Sequence, residues 1–185
     1  MDIARFKVTA EQTVIAVLTK SEVDVLRQIM AELRPAVGDP EEVVADGPLM
    51  WSDDPVRSRL YPRAYLDPTE EDAENTWQQI VHPSLVRGKM DHHDKMIASL
   101  DRVAPAPGRY LYGIPDALEI ELSDDEAESW MSAIQDARIF LGFSLNIDED
   151  NPEVRHDDPR APGFAIYDYL SFLQDDLVTA LTDLL

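Results

Sequence analysis

The sequence predicts an α+β protein that is mainly helical: a bundle of about five helices with a small antiparallel sheet, made of an N-terminal hairpin and one strand near residues 117–122. Three observations support this fold class. Apolar residues recur at helical spacing in long segments, capping signatures mark helix starts, and short β-branched segments lie near the N-terminus. With 185 residues, 44% of them apolar, residues 1–185 are expected to form a single domain.

The small sheet is predicted from three short segments. "ARFKVTA" (4–10) and "QTVIAVL" (12–18) are rich in β-branched residues and flank a turn at Glu11–Gln12, which indicates a hairpin. "ALEIEL" (117–122) alternates apolar and charged residues and is expected to add a third strand. The Pro-rich segment 104–115 is interpreted as an internal loop.

Capping boxes predict where two of the helices begin. Thr19 with Glu22 starts a helix that ends at Gly38, and Ser123 with the acid three residues later starts one that continues to about residue 146. The final helix is predicted from Phe164 to the end, with a leucine stripe on one face. Residues 38–58 are interpreted mainly as a loop, with room for a helical turn at 40–44.

The middle of the chain is predicted to hold two helices separated by a proline. Thr69 is expected to cap the first, which runs through Gln79. His82 is expected to be a helix terminus because Pro83 lacks an N–H group and restricts the residue before it. A new helix is then predicted from Pro83 to Arg102.

The charge is strongly acidic and unevenly distributed. The net charge is −21, and residues 114–185 hold 3 basic and 18 acidic residues. Such a surface repels phosphate groups, so neither nucleic acid nor a membrane is expected as a partner. There is no cysteine, which excludes thiol chemistry and zinc–thiolate sites. No signal-like or membrane-length apolar run is present, so a cytoplasmic location is expected.

The stretch "GKMDHHDK" (88–95) invites a metal interpretation that its spacing does not favour. His92 and His93 are adjacent, so on a helix they point about 100° apart, whereas zinc helices use histidines at i and i+4. His93 falls in or beside the apolar stripe, at the edge of the core, and His92 is expected to be solvated. The segment 148–159 departs from a calcium loop at three positions. No metal and no cofactor are therefore predicted.

Four stretches resemble an uncharacterised actinobacterial family, a domain of unknown function: "RLYPRAY" (59–65), "LVRGKM" (85–90), "LSDDEAESWMSAIQDARIFLGFSL" (122–145) and "YDYLSFLQDDLVTAL" (167–181). The resemblance implies a small cytosolic protein whose gene commonly lies near that of the Clp-protease adaptor, and it implies no activity, cofactor or substrate. The positions that match the family pattern are Arg59, Pro62, Tyr65, Lys89, Trp130, Asp136, Arg138, Gly142, Tyr167, Asp168 and Gln174.

The polar members of this set form the predicted site: Arg59, Tyr65, Lys89, Asp136, Arg138, Tyr167 and Asp168. Two interpretations stay open. The residues could form a partly buried ion network that fixes the register of loop and helices, or a small pocket in which arginines hold an anionic ligand. No residue is assigned a catalytic role, because no nucleophile, phosphate loop or paired acid–base template is recognisable.

Three functions are compatible with these features. The sequence favours a non-enzymatic interaction or adaptor-type protein that docks a basic partner through its acidic C-terminal third. The alternative is a binding protein for an anionic small molecule, or a cryptic enzyme, centred on Arg59, Arg138, Asp136 and Asp168. A transcriptional regulator is the weakest, because only the cluster Arg57, Arg59 and Arg63 could contact DNA. Phe164, Ile166 and Phe172 lie off the main stripe of the last helix, so a homodimer is a further possibility.

Overall fold

The structure, a computed structural model, describes residues 3–38, 54–106, 110–111, 113–147 and 158–184. Five helices lie in these ranges: α1 (Lys20–Val37), α2 (Pro55–Leu60), α3 (Glu71–Asp101), α4 (Asp124–Ser144) and α5 (Ala161–Thr182). The strands are β1 (Phe6–Val8), β2 (Val14–Leu18), β3 (Ala104–Pro105), β4 (Tyr110–Leu111), β5 (Ile114–Pro115) and β6 (Leu118–Leu122). The predicted fold class, a mainly helical α+β protein, is confirmed.

The main sheet is antiparallel and has the order β1-β2-β6-β3. The predicted hairpin is β1–β2, and the predicted third strand is β6, whose Ile120 lies opposite Ala16 of β2. The segment 104–115 was predicted as a loop, which is wrong in part, since β3 joins the edge of this sheet and β4 pairs with β5. These strands are two residues long, too short for an alternating pattern to reveal them.

A carboxylate from the last helix closes the β1 edge of the sheet. Asp176 of α5 accepts hydrogen bonds through one oxygen from the backbone N–H groups of Arg5, at 2.5 Å, and Phe6, at 2.8 Å. An edge strand otherwise presents unpaired N–H groups that can recruit another chain. Asp176 thus joins the C-terminal helix to the N-terminal strand.

The helices bury one continuous core against one face of the sheet. Trp130 of α4 is fully buried, its indole N–H donates to Ser99 Oγ of α3 at 2.7 Å, and its ring meets Phe6 of β1 edge-on at 5.8 Å. Burying the indole with its N–H satisfied keeps the apolar gain without an unpaired donor. Among the described residues, no helix combines the length and the apolar content needed to cross a membrane.

Both predicted capping boxes are confirmed. Thr19 accepts from the backbone N–H of Glu22 and the Glu22 carboxylate accepts from the backbone N–H of Thr19. Ser123 and Glu126 make the same reciprocal pair at the start of α4. Gly38 ends α1 with φ of +100°, a region that L side chains rarely adopt. The helical turn proposed at 40–44 lies outside the described residues. The loop predicted for 38–58 is wrong at its end, because α2 begins at Pro55.

The predicted break at His82-Pro83 is wrong, because α3 is one helix that contains Pro83. Proline still removes one hydrogen bond of the helix, but His82 and Val86 are buried on either side of it and hold both halves against the core. Ser84 Oγ donates to the Val81 carbonyl at 2.7 Å, which satisfies one backbone acceptor near the interruption. His82 is therefore inside a helix and is not a terminus.

The predicted capping role of Thr69 is also wrong. A 3₁₀ turn (Pro68–Glu70) precedes α3, and its N-cap is Asp67, whose carboxylate accepts from both the backbone N–H and the hydroxyl of Thr69 at 2.8 Å. These hydrogen bonds lower the pKa of the Asp67 carboxyl. Aspartate is at least as good an N-cap as threonine, and here Asp67 takes that position.

Candidate functional site

A pocket of about 490 Å³ opens between α2, α4 and α5. The residues that line it come from the end of α2 and the segment just after it, from one face of α4 and the segment just after it, and from the second turn of α5. They are Ser58, Arg59, Pro62, Gln135, Arg138, Ile139, Gly142, Phe143, Ile147 and Tyr167. The α4 residues follow helical spacing, which places them on one side of the helix. Pockets that hold small molecules in proteins have volumes in this range.

Local packing explains why α2 and α5 meet α4 here. Leu60 and Tyr61 at the end of α2 are buried, and the Tyr61 hydroxyl donates to the Val37 carbonyl at the end of α1, at 2.8 Å. Gly163 lets the start of α5 approach α4 closely, since a Cβ atom there would come within 2.7 Å of Leu145 Cδ2. Arg59 and Tyr167 are thereby brought to the same face of α4.

Arg138 is held by a chain of side-chain hydrogen bonds. Its Nη1 donates to Gln174 Oε1 at 2.5 Å, and the Gln174 amide nitrogen donates to Gln135 Oε1 at 3.0 Å. The guanidinium carbon lies 5.5 Å from the centre of the Tyr167 ring. Arg138 Nε is buried and has no hydrogen-bond partner among the described residues. Arg138 is thus positioned by neutral groups and not by a carboxylate.

Arg59 contributes a second guanidinium to the same pocket. It lies 5.6 Å from the centre of the Phe143 ring and makes no ion pair with any carboxylate that the structure describes. Most other described cations do make one: Arg5, Lys20, Arg27, Arg34, Arg63, Lys89, Lys95, Arg102 and Arg160. Arg59 and Arg138 thus both lack an ion pair with a described carboxylate, although the chain has 37 acidic residues.

Lys89 and Asp136, also predicted for the site, meet each other in a different place. Lys89 Nζ lies 2.5 Å from one oxygen of the Asp136 carboxylate, and His93 Nε2 lies 3.4 Å from the other. Asp136 is 1% exposed, so this contact is an internal tie between α3 and α4. Removing one partner of such a pair leaves an uncompensated buried charge.

The remaining predicted site residues lie on the surface and do not line the pocket. Tyr65 follows α2 and is 36% exposed, and its backbone N–H donates to Glu74 Oε2 at 2.8 Å. Asp168 is on an exposed side of α5. The structure therefore brings together Arg59, Arg138 and Tyr167, pairs Lys89 with Asp136, and leaves Tyr65 and Asp168 apart from both groups.

One of the two adjacent histidines lies as predicted. His93 is fully buried, whereas His92, which was expected to be solvated, is half-buried with Nδ1 3.1 Å from Ser129 Oγ. His82 packs edge-on against Tyr61 at 4.9 Å between ring centres, and neither of its ring nitrogens has a described hydrogen-bond partner. Within the part of the chain that the structure describes, no three His, Asp or Glu side chains come together as a metal site.

A second concavity, also about 490 Å³, lies where the hairpin turn meets the start of α4 and the end of α5. We call it the acidic groove, and it is lined by Gln12, Asp124, Glu128, Leu181 and Leu184. Neither Asp124 nor Glu128 pairs with a cation among the described residues. Glu126 between them is different: burial raises its pKa, but hydrogen bonds from the Ser123 backbone and Arg102 outweigh that effect and lower it.

Sequence reasoning missed several residues of both concavities. Ser58, Gln135 and Phe143 belong to the pocket, and the signal that could have found Gln135 is its position one helical turn before Arg138. The groove joins residues from the two ends of the chain. No local pattern contains that information, because it depends on how the hairpin packs against α4 and α5.

These features describe a mainly helical α+β protein with two surface concavities, one with arginines and one with carboxylates. The chain belongs to the family described as "Domain of unknown function (DUF2017)", whose model matches residues 3–181. The relatives below are mycobacterial, as the actinobacterial resemblance implied.

Three relatives illustrate the similarity. The chain is 30% identical over 141 residues to a protein named "Putative oxidative stress regulator AosR" from Mycobacterium leprae, covering 70% of this chain and 59% of the relative. It is 31% identical over 137 residues to proteins named "Oxidative stress regulator AosR" from Mycobacterium bovis and Mycobacterium tuberculosis, covering 69% of this chain and 58% of theirs. The chain thus matches less than two thirds of their length. No solved structure matches it.

Proposed function

We propose that this protein is a non-enzymatic regulatory protein that binds a partner with a basic surface through its acidic C-terminal third. The observation that carries the proposal is the acidic groove. In it Asp124 and Glu128, which pair with no described cation, lie beside two leucines, Leu181 and Leu184. An apolar side chain flanked by lysine or arginine fits such a surface, because it buries apolar area while its charges meet opposite charges.

The charge distribution supports a basic partner. Residues 114–185 carry 18 acidic and 3 basic residues, and Asp168, Asp175 and Asp183 of the α5 region are exposed. Clustered charge of one sign attracts an oppositely charged protein over a distance of about a Debye length, ~8 Å at physiological ionic strength. The groove supplies the short-range contacts that this long-range attraction lacks.

The relatives support regulation as the role. They are named oxidative stress regulators, and we extend a regulatory role to this chain. The signal that this protein detects must be different from oxidation of a thiol within these 185 residues, because they contain no cysteine. A binding event at the groove requires no redox chemistry.

The test is affinity capture from cells that express the protein, at about 50 mM and about 300 mM salt. We expect capture by the wild type to fall with salt, and the double variant Asp124→Asn/Glu128→Gln to lose the same proteins at low salt. The matched control is Asp168→Asn/Asp175→Asn, which removes equal charge from exposed positions outside the groove.

The control separates the groove from net charge. Equal losses in both double variants would mean that only the overall charge matters and would reject the groove as the contact surface. A salt-independent set of partners would reject the electrostatic proposal as a whole. Melting curves of each variant check folding, since Asp124 lies in the first turn of α4, where neutralising an acid costs roughly 0.3–1 kcal/mol.

A further inference from the structure

We propose that the pocket between α2, α4 and α5 is a binding site for a small organic anion, one that carries a carboxylate or phosphate group on a compact apolar body. The pocket shares no lining residue with the acidic groove, so this inference does not depend on the partner-binding proposal.

Among the residues that the structure describes, no carboxylate neutralises the positive charge of the pocket. Arg59 and Arg138 both line it, and neither pairs with a carboxylate among the described residues. The described lining residues include no aspartate or glutamate, although 37 of the 185 residues are acidic. Most other described cations pair with a carboxylate, so an anion is the partner that these two arginines lack within the described part of the chain.

The two guanidinium groups are held in place by groups that leave donors available. Arg59 contacts the Phe143 ring and Arg138 the Tyr167 ring, and such contacts occupy the face of a guanidinium while its N–H donors lie in its plane. Of the Arg138 donors, Nη1 already donates a hydrogen bond to Gln174. Gln135 uses its oxygen to accept from Gln174, which leaves its amide N–H groups as further donors.

The rest of the wall is apolar and sets the kind of anion. Pro62, Ile139, Phe143 and Ile147 line the pocket beside the polar groups. A volume of about 490 Å³ exceeds what a bare inorganic anion fills and suits a ligand with a small hydrocarbon or aromatic body. The oxyanion would bind the arginines, and the body would cover the isoleucines and the phenylalanine.

The test uses four probes on the full chain: benzoate, phenyl phosphate, inorganic phosphate and neutral benzyl alcohol. Backbone amide resonances are followed in two-dimensional NMR spectra at constant ionic strength. We expect benzoate or phenyl phosphate to shift resonances of α4 near Arg138 and Phe143 saturably. Inorganic phosphate should bind more weakly than phenyl phosphate, and benzyl alcohol more weakly than either organic anion.

Variants assign the effect to the arginines. Arg59→Gln and Arg138→Gln should each weaken binding about tenfold or more, as expected for loss of a hydrogen bond to a charged group. Arg87→Gln is the matched control, because Arg87 is exposed on α3, also pairs with no described carboxylate and does not line the pocket; its affinity should stay the same.

Several results would overturn the proposal. Benzyl alcohol binding as tightly as benzoate would remove the role of charge, and inorganic phosphate binding as tightly as phenyl phosphate would remove the role of the apolar wall. Unchanged affinity in both arginine variants would place the anion elsewhere. If no anion binds and Arg59→Gln, an exposed position, lowers the melting temperature instead, the arginines serve the fold alone.

Discussion

At the scale of single residues, the polar side chains inside this protein are satisfied to very different degrees. Glu74 is fully buried, and burial raises its pKa, but hydrogen bonds from Gln78 and the backbone N–H groups of Tyr65 and Ala64 outweigh this and lower it. His82 has no such compensation, since both its ring nitrogens lack described partners. Burial there favours the neutral imidazole over the protonated one.

His82 should therefore make stability depend on pH. Burial, and then the positive charge of Arg57, lowers its pKa below the ordinary value of 6.5. Between the folded pKa and pH 6.5, His82 is protonated more often in the unfolded chain than in the folded protein. The contribution of His82 to the free energy of unfolding is therefore largest above pH 6.5 and decreases as the pH falls toward the folded pKa. We expect urea unfolding between pH 7.5 and 5 to show this fall.

His82→Leu is the comparison that isolates the effect. Leucine has a similar volume and cannot be protonated, so the variant should show a smaller decrease in stability across the same interval. Above pH 5 the carboxylates, whose ordinary pKa values are near 4, contribute little to the slope. Parallel slopes for the two proteins would show that His82 titrates in the folded state much as it does in the unfolded one.

At the scale of secondary-structure elements, the two capping boxes were predictable from sequence, whereas the continuation of a helix through a proline was not. The capping boxes at Thr19 and Ser123 depend on contacts three residues apart, which a sequence displays directly. Whether a helix continues through a proline depends on what is buried on either side of it. Pro83 lies between two buried positions of α3, His82 and Val86, and only the folded chain shows that burial.

The same distinction applies to the candidate site. The family resemblance put Arg138 and Asp136 in one predicted site, although residues two apart on a helix point about 200° away from each other. Asp136 turns toward Lys89 and His93 of α3, whereas Arg138 turns toward Tyr167 of α5. Which helix packs on which side of α4 is a long-range fact that no local pattern contains.

Replacing Pro83 by alanine should stabilise the protein. Alanine restores a backbone N–H that can donate to the Gln79 carbonyl and removes the clash of the ring with the preceding turn. An interior proline destabilises a helix by up to ~3 kcal/mol relative to alanine. Because the surrounding structure is already adapted to the proline, we expect the free energy of unfolding to increase by about 1–2 kcal/mol, measured by denaturant unfolding.

Pro162→Ala is the matched control for this substitution. Pro162 lies in the first turn of α5, where a backbone N–H has no partner within the helix and proline is well tolerated. The control should change stability little or lower it slightly. A loss of stability in Pro83→Ala would instead mean that the proline ring makes packing contacts worth more than one helical hydrogen bond.

At the scale of the whole molecule, the acid excess acts against the fold and in favour of partner binding. The net charge is −21, and the negative side chains repel one another more strongly in the compact folded state than in the unfolded chain. Ion pairs such as Lys20–Asp24 and Arg27–Asp101 offset only a small part of this, since exposed pairs contribute about 0–1 kcal/mol each. The net effect of screening salt on stability is therefore expected to be favourable.

We accordingly expect the melting temperature to rise by several degrees between about 10 and 500 mM sodium chloride, as the screening length falls from roughly 30 to 4 Å. About 1 kcal/mol corresponds to ~2–4 °C for a chain of this size. Asp168→Asn/Asp175→Asn, with two fewer exposed negative charges, should show a smaller rise. A falling melting temperature would mean that the surface ion pairs outweigh self-repulsion. With the expected sign, salt strengthens the fold while it weakens capture of a basic partner, so loss of that partner at high salt cannot be attributed to unfolding.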